Sequence, residues 1–323
     1  MAEILREIPP IPQELQEAAG RGKLIIFVGA GVSRLAGGPS WDQLANSLLK
    51  NLAKGKLLSF GDLDQLKNIP ARKKISIAMD ICRENGFVPP FREILHSHAS
   101  PEKTHQVYRD LYSIGTAFVT TNYDEWLDVL AETPHPSPDP IIVSPLAHLG
   151  RSPTLVANVF FGKEQLTIEK LATRGSVIHL HGSVRDPDTM VLTARQYLDH
   201  YRDPFVQTFL DELFQAYTVL FVGYGLEEDE ILDHILRKRD GTKEKQHFRL
   251  FPRYSYQDRL CAHLAGYSLN HCGVQHVDYC IDDKDHEQLV TVIADWSRKL
   301  GPQVKDQLYL EKIKIIDQAL GEP

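Results

Sequence analysis

The sequence predicts an α/β protein: a doubly wound, mostly parallel six-stranded Rossmann-like sheet with an inserted helical subdomain. Two observations carry that reading. Six short β-branched or aromatic runs each end in Gly or a polar turn: Lys23–Val28, Thr116–Thr120, Ser176–Leu180, Thr218–Val222, His247–Phe251 and Val274–Asp278. Between them, Trp41–Leu52, Lys103–Leu111, Tyr123–Leu130, Asp203–Phe214, Asp229–Arg237, Ser255–Ala265 and His286–Leu300 repeat apolar residues at three- and four-residue spacing, as amphipathic helices do. The unbroken apolar runs LIIFV and VLFV suit strands buried on both faces, the signature of a parallel sheet. Strands alternating with helices around such a sheet give the doubly wound arrangement.

In chain order, the first strand runs into the turn GAGVSRLAGGPSW. About 85 residues then separate it from the second strand, more than a crossover needs, and their pattern is helical. They predict a helical insertion over about 34–112. A second insertion, about 133–175, is Pro-rich and contains TLVANVFFG, which reads as a small β-hairpin or a lid. After the third strand, TARQYLDHY predicts a helix that covers the sheet edge or restricts access to the strand end. Residues 1–301 then form one domain, and Gln303–Leu320 carries an amphipathic pattern suited to a packing or oligomer helix.

Composition excludes several classes. No apolar run approaches the ~18 residues needed to cross a bilayer. The stretch MAEILREIPPIPQEL lacks the basic and apolar blocks of a signal peptide, so a cytoplasmic address is expected. The net charge of −7 gives no attraction to nucleic acid, which would be reached only through a partner. Arg72, Lys73 and Lys74 read as a solvated loop or helix start. Cys82, Cys261, Cys272 and Cys280 form no CxxC pair; they read as small buried apolar residues rather than metal ligands.

Four motifs fall at strand ends. Gly29 and Gly31 let the chain turn sharply and let a pyrophosphate approach the backbone. Ala30 and Ser33 keep the floor small, and the Ser33 hydroxyl is placed to donate to a phosphate oxygen. The third glycine of the dehydrogenase fingerprint is missing. TTNYD at Thr120–Asp124 follows the second strand and HLHGSV at His179–Val184 the third; VGYG, with Gly223 and Gly225, closes the fourth. Ligands of open α/β sheets bind outside these ends, so the motifs should meet in one crevice.

Taken together, these residues resemble the sirtuin superfamily. GAGVS is similar to its GAG-[IV]-S phosphate loop, GGPSW to the G-[IL]-P-[DS]-F stretch that follows, TTNYD to T-Q-N-[IY]-D, and His181–Ser183 to the HGS motif carrying the catalytic histidine. Two departures stand out. No cysteine occurs over Val184–Ala194, where sirtuin deacylases carry a Cys₄ zinc ribbon, and Thr121 replaces the usual Gln. The pattern is closer to the sirtuin-like NAD⁺ hydrolases of bacterial anti-phage defence: the Thoeris effector, the defence-associated sirtuins, and the sirtuin partners of short Argonautes or of a HerA-type ATPase. The resemblance implies NAD⁺ as substrate, no zinc, NAD⁺ depletion in abortive infection, a homo-oligomer, and a separate sensor subunit such as a HerA-type ATPase or short Argonaute.

Cleaving the nicotinamide–ribose bond passes through an oxocarbenium-like transition state, with water as nucleophile in a hydrolase. The expected catalytic residues are Asn122, which orients water or ribose hydroxyls, His181, which accepts a proton with an ordinary pKa near ~6.5, and Asp124, which holds the Asn122 loop. The expected NAD contacts are Gly29, Ala30, Gly31, Ser33, Thr121, Gly223 and Gly225. Duller roles stand beside these: Asn122 as cap of a helix starting at Tyr123, Asp124 as a dipole partner, His181 as a satisfied turn residue. His179 alternates with His181, so it should face the other way and serve structure. Two other functions stay open, an NAD- or ADP-ribose-binding regulatory subunit and a zinc-free protein deacylase.

Overall fold

In the computed structural model, residues 7–97, 101–128, 158–226, 229–236, 247–283 and 286–301 are described. Seven strands form one all-parallel sheet: β1 Leu24–Val28, β2 Ala117–Thr120, β3 Val159–Phe160, β4 Val177–His179, β5 Thr218–Val222, β6 His247–Arg253 and β7 Val274–Cys280. Their spatial order is β3-β4-β2-β1-β5-β6-β7. The chain first builds leftward from β1 and then returns to place β5 on its other side, so the order reverses at β1. A topological switch point of this kind opens a crevice at the carboxyl ends of the central strands.

Among the described residues the sheet has seven strands where six were expected. The added strand is β3, two residues of the second insertion, paired in parallel with β4 at the sheet edge. Two residues carry too little periodicity to announce a strand. The part of TLVANVFFG that is described thus extends the main sheet rather than closing a hairpin, while residues 133–157 of that insertion and the predicted helix Gln303–Leu320 lie outside the described residues.

Alternation sets the two faces. Leu24, Ile26, Val28, Phe118, Leu220 and Phe248 point to one face, where α7 (Pro101–Ile114) contributes Tyr108 and Leu111 and the helix over 287–301 contributes Trp296. Ile25, Phe27, Val119, Ile178 and Phe221 point to the other, against α9 (Pro204–Ala216) and α10 (Asp229–Leu236). Each fully buried side chain of this size contributes about 1.5–3 kcal/mol. Strand bounds agree with the sequence reading to within two residues, because β-branched runs end where Gly or a polar turn begins.

Between β1 and α7, the helices α3 (Trp41–Lys54), α4 (Phe60–Leu66), α5 (Ala71–Asn85) and α6 (Phe91–His96) surround a core of their own. Ser40 caps α3 with a reciprocal capping box to Gln43. That core also takes in Tyr123, Val184, Met190 and Leu192 from the strand-end loops, so the helices are packed onto the crevice. Arg72 and Lys73 are exposed at the start of α5, as expected, but Lys74 is buried and donates to Asn46 Oδ1 at 3.2 Å. The basic triplet is split because an α-helix rotates by about 100° per residue, which carries its third member around to the apolar face.

The helix predicted from TARQYLDHY is α8 (Ala194–Tyr201), and α11 spans Asp258–Cys272. Cys82, Cys261 and Cys272 are buried and Cys280 is half-buried; all four are free thiols. Among the described residues, no helix is long and apolar enough to cross a membrane, and no cluster of three or more His, Cys, Asp or Glu has metal-binding geometry.

Candidate active site

The glycine-rich turn is shaped by a second backbone. Gly29 caps the short helix α2 (Ala30–Leu35), and the Gly29 and Gly31 amides donate to the carbonyls of Val222 and Gly223 at 2.9 and 2.8 Å. A Cβ on Gly31 would lie 2.8 Å from the Gly223 backbone, and one on Gly223 would lie 2.5 Å from Val32 N. Gly223 also has φ +63°, a region open to glycine. GAG and VGYG are thus two halves of one backbone junction. Their glycines let the β1 and β5 loops touch, a constraint that spacing within either motif does not show.

Above that junction, Ala30, Ser33, Thr121, Asn122, Asp124 and His181 line a single cavity, closed on the other side by Trp41, Leu44 and Leu95 of the helical insertion. Five of the expected NAD-binding and catalytic side chains and one backbone position therefore meet. Gly29, Gly31 and Gly223 form its floor rather than its lining, and Gly225 lies just beyond β5. Trp41 closes the GGPSW motif but, like Leu95, is not among the expected site residues, because a local pattern does not show which helices of the insertion fold over the strand ends.

Hydrogen bonds fix the polar end of the cavity. Asn122 Nδ2 donates to Gly29 O at 3.1 Å and to Ser33 Oγ at 2.8 Å. Both amide hydrogens are thereby directed inward, because Gly29 O can only accept, and this leaves Oδ1 as the amide end for a ligand. Ser33 donates its single proton to Asp124 Oδ2 at 2.6 Å, and Tyr108 OH lies 3.3 Å from the same Oγ. The Ser33 proton is thus committed to Asp124 instead of facing a phosphate. Burial raises the Asp124 pKa above the ordinary carboxylate value, against the Ser33 hydrogen bond and the charge of His179.

Asn122 does not cap a helix. Residues 121–125 are irregular and the helical turn starts at 126, where Asp124 Oδ1 accepts the Trp126 amide at 3.4 Å. The apolar spacing that suggests a helix from Tyr123 arises because Tyr123 packs into the insertion core instead.

His179 and His181 part as alternation predicts. His181 is 1% exposed, with Nε2 2.8 Å from Tyr201 OH and its ring edge-on to Tyr197 and His200 of α8. Burial, and then the Arg72 charge, lower its pKa to about 3. The Arg72 guanidinium sits over the Tyr197 ring at 4.3 Å. In this setting the His181 ring is held as a neutral hydrogen-bonding imidazole. A helix that begins thirteen residues downstream dehydrates it, and no local motif reveals that.

Directly after His181, Gly182 has φ +79°, and a Cβ there would meet the Thr189 carbonyl oxygen. The glycine of HGS is required because the chain folds back on itself, bringing Val191 N to His181 O at 2.9 Å.

Comparisons with known proteins agree with this frame. A family model described as "SIR2-like domain" matches residues 116–272. The chain is 26% identical over 260 residues to "NAD(+) hydrolase ThsA" of Acinetobacter baumannii (strain 532279), covering 78% of this chain and 46% of that protein. It is 22% identical over 227 residues to "Defense-associated sirtuin 2" of Bacillus subtilis, covering 68% of this chain and 19% of that protein. Each match thus spans less than half the length of the curated relative. In its all-parallel sheet, the order of its strand-end motifs and these matches, the chain is similar to sirtuin-like proteins, with the SIR2-like match lying over residues 116–272.

Proposed function

We propose that the chain hydrolyses NAD⁺ to nicotinamide and ADP-ribose, as the name of one relative suggests. The observation that carries the reading is the meeting of Ala30, Ser33, Asn122 and His181 in one cavity at the switch point of the sheet. In the reaction the C1′–nitrogen bond breaks and its electron pair neutralises the pyridinium ring. Water then adds to C1′ and passes one proton to bulk solvent, the H⁺ released by the overall hydrolysis. The Asn122 Oδ1 accepts a hydrogen from that water or from a ribose hydroxyl, while both Nδ2 hydrogens hold the amide rigid against Ser33 and Gly29. Neutral His181 orients rather than stores the proton, since the residual affinity of its ring for a proton is low.

The test is nicotinamide release from NAD⁺ alone, without any acylated peptide. Asn122→Ala and His181→Ala should each lower release by ~10²-fold or more with the fold retained. Wild-type turnover in either variant would reject the assigned roles.

A defence role in a complex extends this reading. The wrapping of His181 by α8 favours a restrained resting state, which a separate subunit, such as a HerA-type ATPase or a short Argonaute, or self-assembly would release. Equal specific activity for the isolated chain and for the assembled complex would count against that restraint.

A further inference from the structure

His179 has no expected role beyond structure, yet its surroundings dictate its charge. The side chain is fully buried. Nδ1 lies 2.9 Å from the backbone carbonyl oxygen of Asn122, and Nε2 lies 2.7 Å from Asp128 Oδ1. A carbonyl can only accept, so Nδ1 must carry a proton. The other Asp128 oxygen pairs with Arg185 Nε at 2.8 Å, so the carboxylate faces donors on both sides and asks Nε2 for a proton as well. Both nitrogens then donate, and the ring is an imidazolium.

We infer that His179 is a buried cation which, held by Asp128 and Arg185, positions Asn122 for the proposed reaction by clamping its backbone carbonyl beneath the cavity. The inference rests on the NAD⁺-hydrolase reading only for its kinetic part. His179 is a positioning residue: its hydrogen bond reaches the main chain of Asn122, while the Asn122 side chain faces Ser33 and the cavity. The groups that face this ion pair are Asp128, Asp124, Arg185, Tyr108 and Tyr112, with His96 near Asp124. Burial holds both tyrosines protonated well into the alkaline range, so neither supplies a transition near neutrality. Despite the cost of burial, the partners of His179 raise its pKa. Its contribution to stability is therefore complete below the ordinary histidine value and is lost as pH rises through the raised one.

Two measurements test the clamp. The first is long-range ¹H–¹⁵N correlation on the intact wild-type chain, with His179 assigned through its backbone, so no substitution is needed. Protons on both ring nitrogens at pH 7 are expected; a singly protonated ring would overturn the inference. The second is His179→Gln, which can still donate to one acceptor but carries no charge. It should lower kcat about tenfold or more with a smaller change in KM, the scale of one charged hydrogen bond. It should also remove the alkaline decline of rate and melting temperature expected of the wild type. Wild-type kcat with an unchanged pH profile would overturn the inference. If the wild type releases no nicotinamide at all, the hydrolase reading fails, while the ring protonation and the pH dependence of melting still decide the clamp.

Discussion

Two walls of the cavity are made in opposite ways. The inner wall, Ser33, Asn122 and Asp124, is backed by His179 and Asp128 in a buried hydrogen-bond network with charge at its base, tied to β1, β2 and β4. The outer wall is set by His181, which lines the cavity and is backed by the edge-on rings of Tyr197, His200 and Tyr201 of α8. Two histidines separated by a single leucine therefore meet opposite electrostatics. A carboxylate and a carbonyl favour the proton on His179, while burial beside aromatic rings and the Arg72 charge disfavour it on His181. Sequence spacing cannot assign a charge state; the partners that the fold brings to each ring do so.

The contrast can be broken from its most costly side first. Asp128→Ala removes the carboxylate that bridges His179 and Arg185, taking from the buried His179 its ion-pair partner. A loss of ~3–5 kcal/mol in unfolding free energy is expected by denaturant titration. A loss near zero would mean that the inner wall is not held by charge. On the outer wall, Tyr201→Phe removes a single hydroxyl from His181 Nε2. It should cost about 1–3 kcal/mol, the range for stranding one neutral buried partner. If it costs as much as Asp128→Ala, the two walls do not differ in kind.

The smallest effect concerns pH. Because folding depresses the His181 pKa to about 3, the unfolded chain takes up protons first on acidification. Stability should then fall as pH drops from ~6.5 toward about 3, the reverse of the slope expected from His179. Arg72→Gln removes an exposed like charge and should make that acid decline slightly shallower in melting curves recorded from pH 7 to pH 4. His276, lowered to about 4 by burial, adds to the same limb. The comparison is therefore made again in a His181→Gln background, where Arg72→Gln should change nothing further. An equal shift in both backgrounds would remove Arg72 from the account of His181.

Much of the frame was readable from residues alone. LIIFV and VLFV announce strands buried on both faces because continuous apolar runs have no solvated side. The strand-end motifs converge because a parallel sheet puts all its carboxyl ends on one edge. Asn122 and His181 reach one cavity for that reason. β3 was not readable, being too short to show a period, nor was the burial of Lys74, which depends on the face of α5 that meets α3.

The sequence by itself determined the α/β class, the parallel sheet and the identity of the side chains gathered at its edge, since these follow from patterns local to each segment. Only the tertiary structure decided what those side chains do to one another. It turned GAG and VGYG into one glycine-lined junction, committed the Ser33 proton to Asp124, and gave one histidine a charge that it denied the other. The reason is physical: protonation and hydrogen-bond direction are set by partners about 3 Å away in space, and here those partners lie up to 93 residues away along the chain.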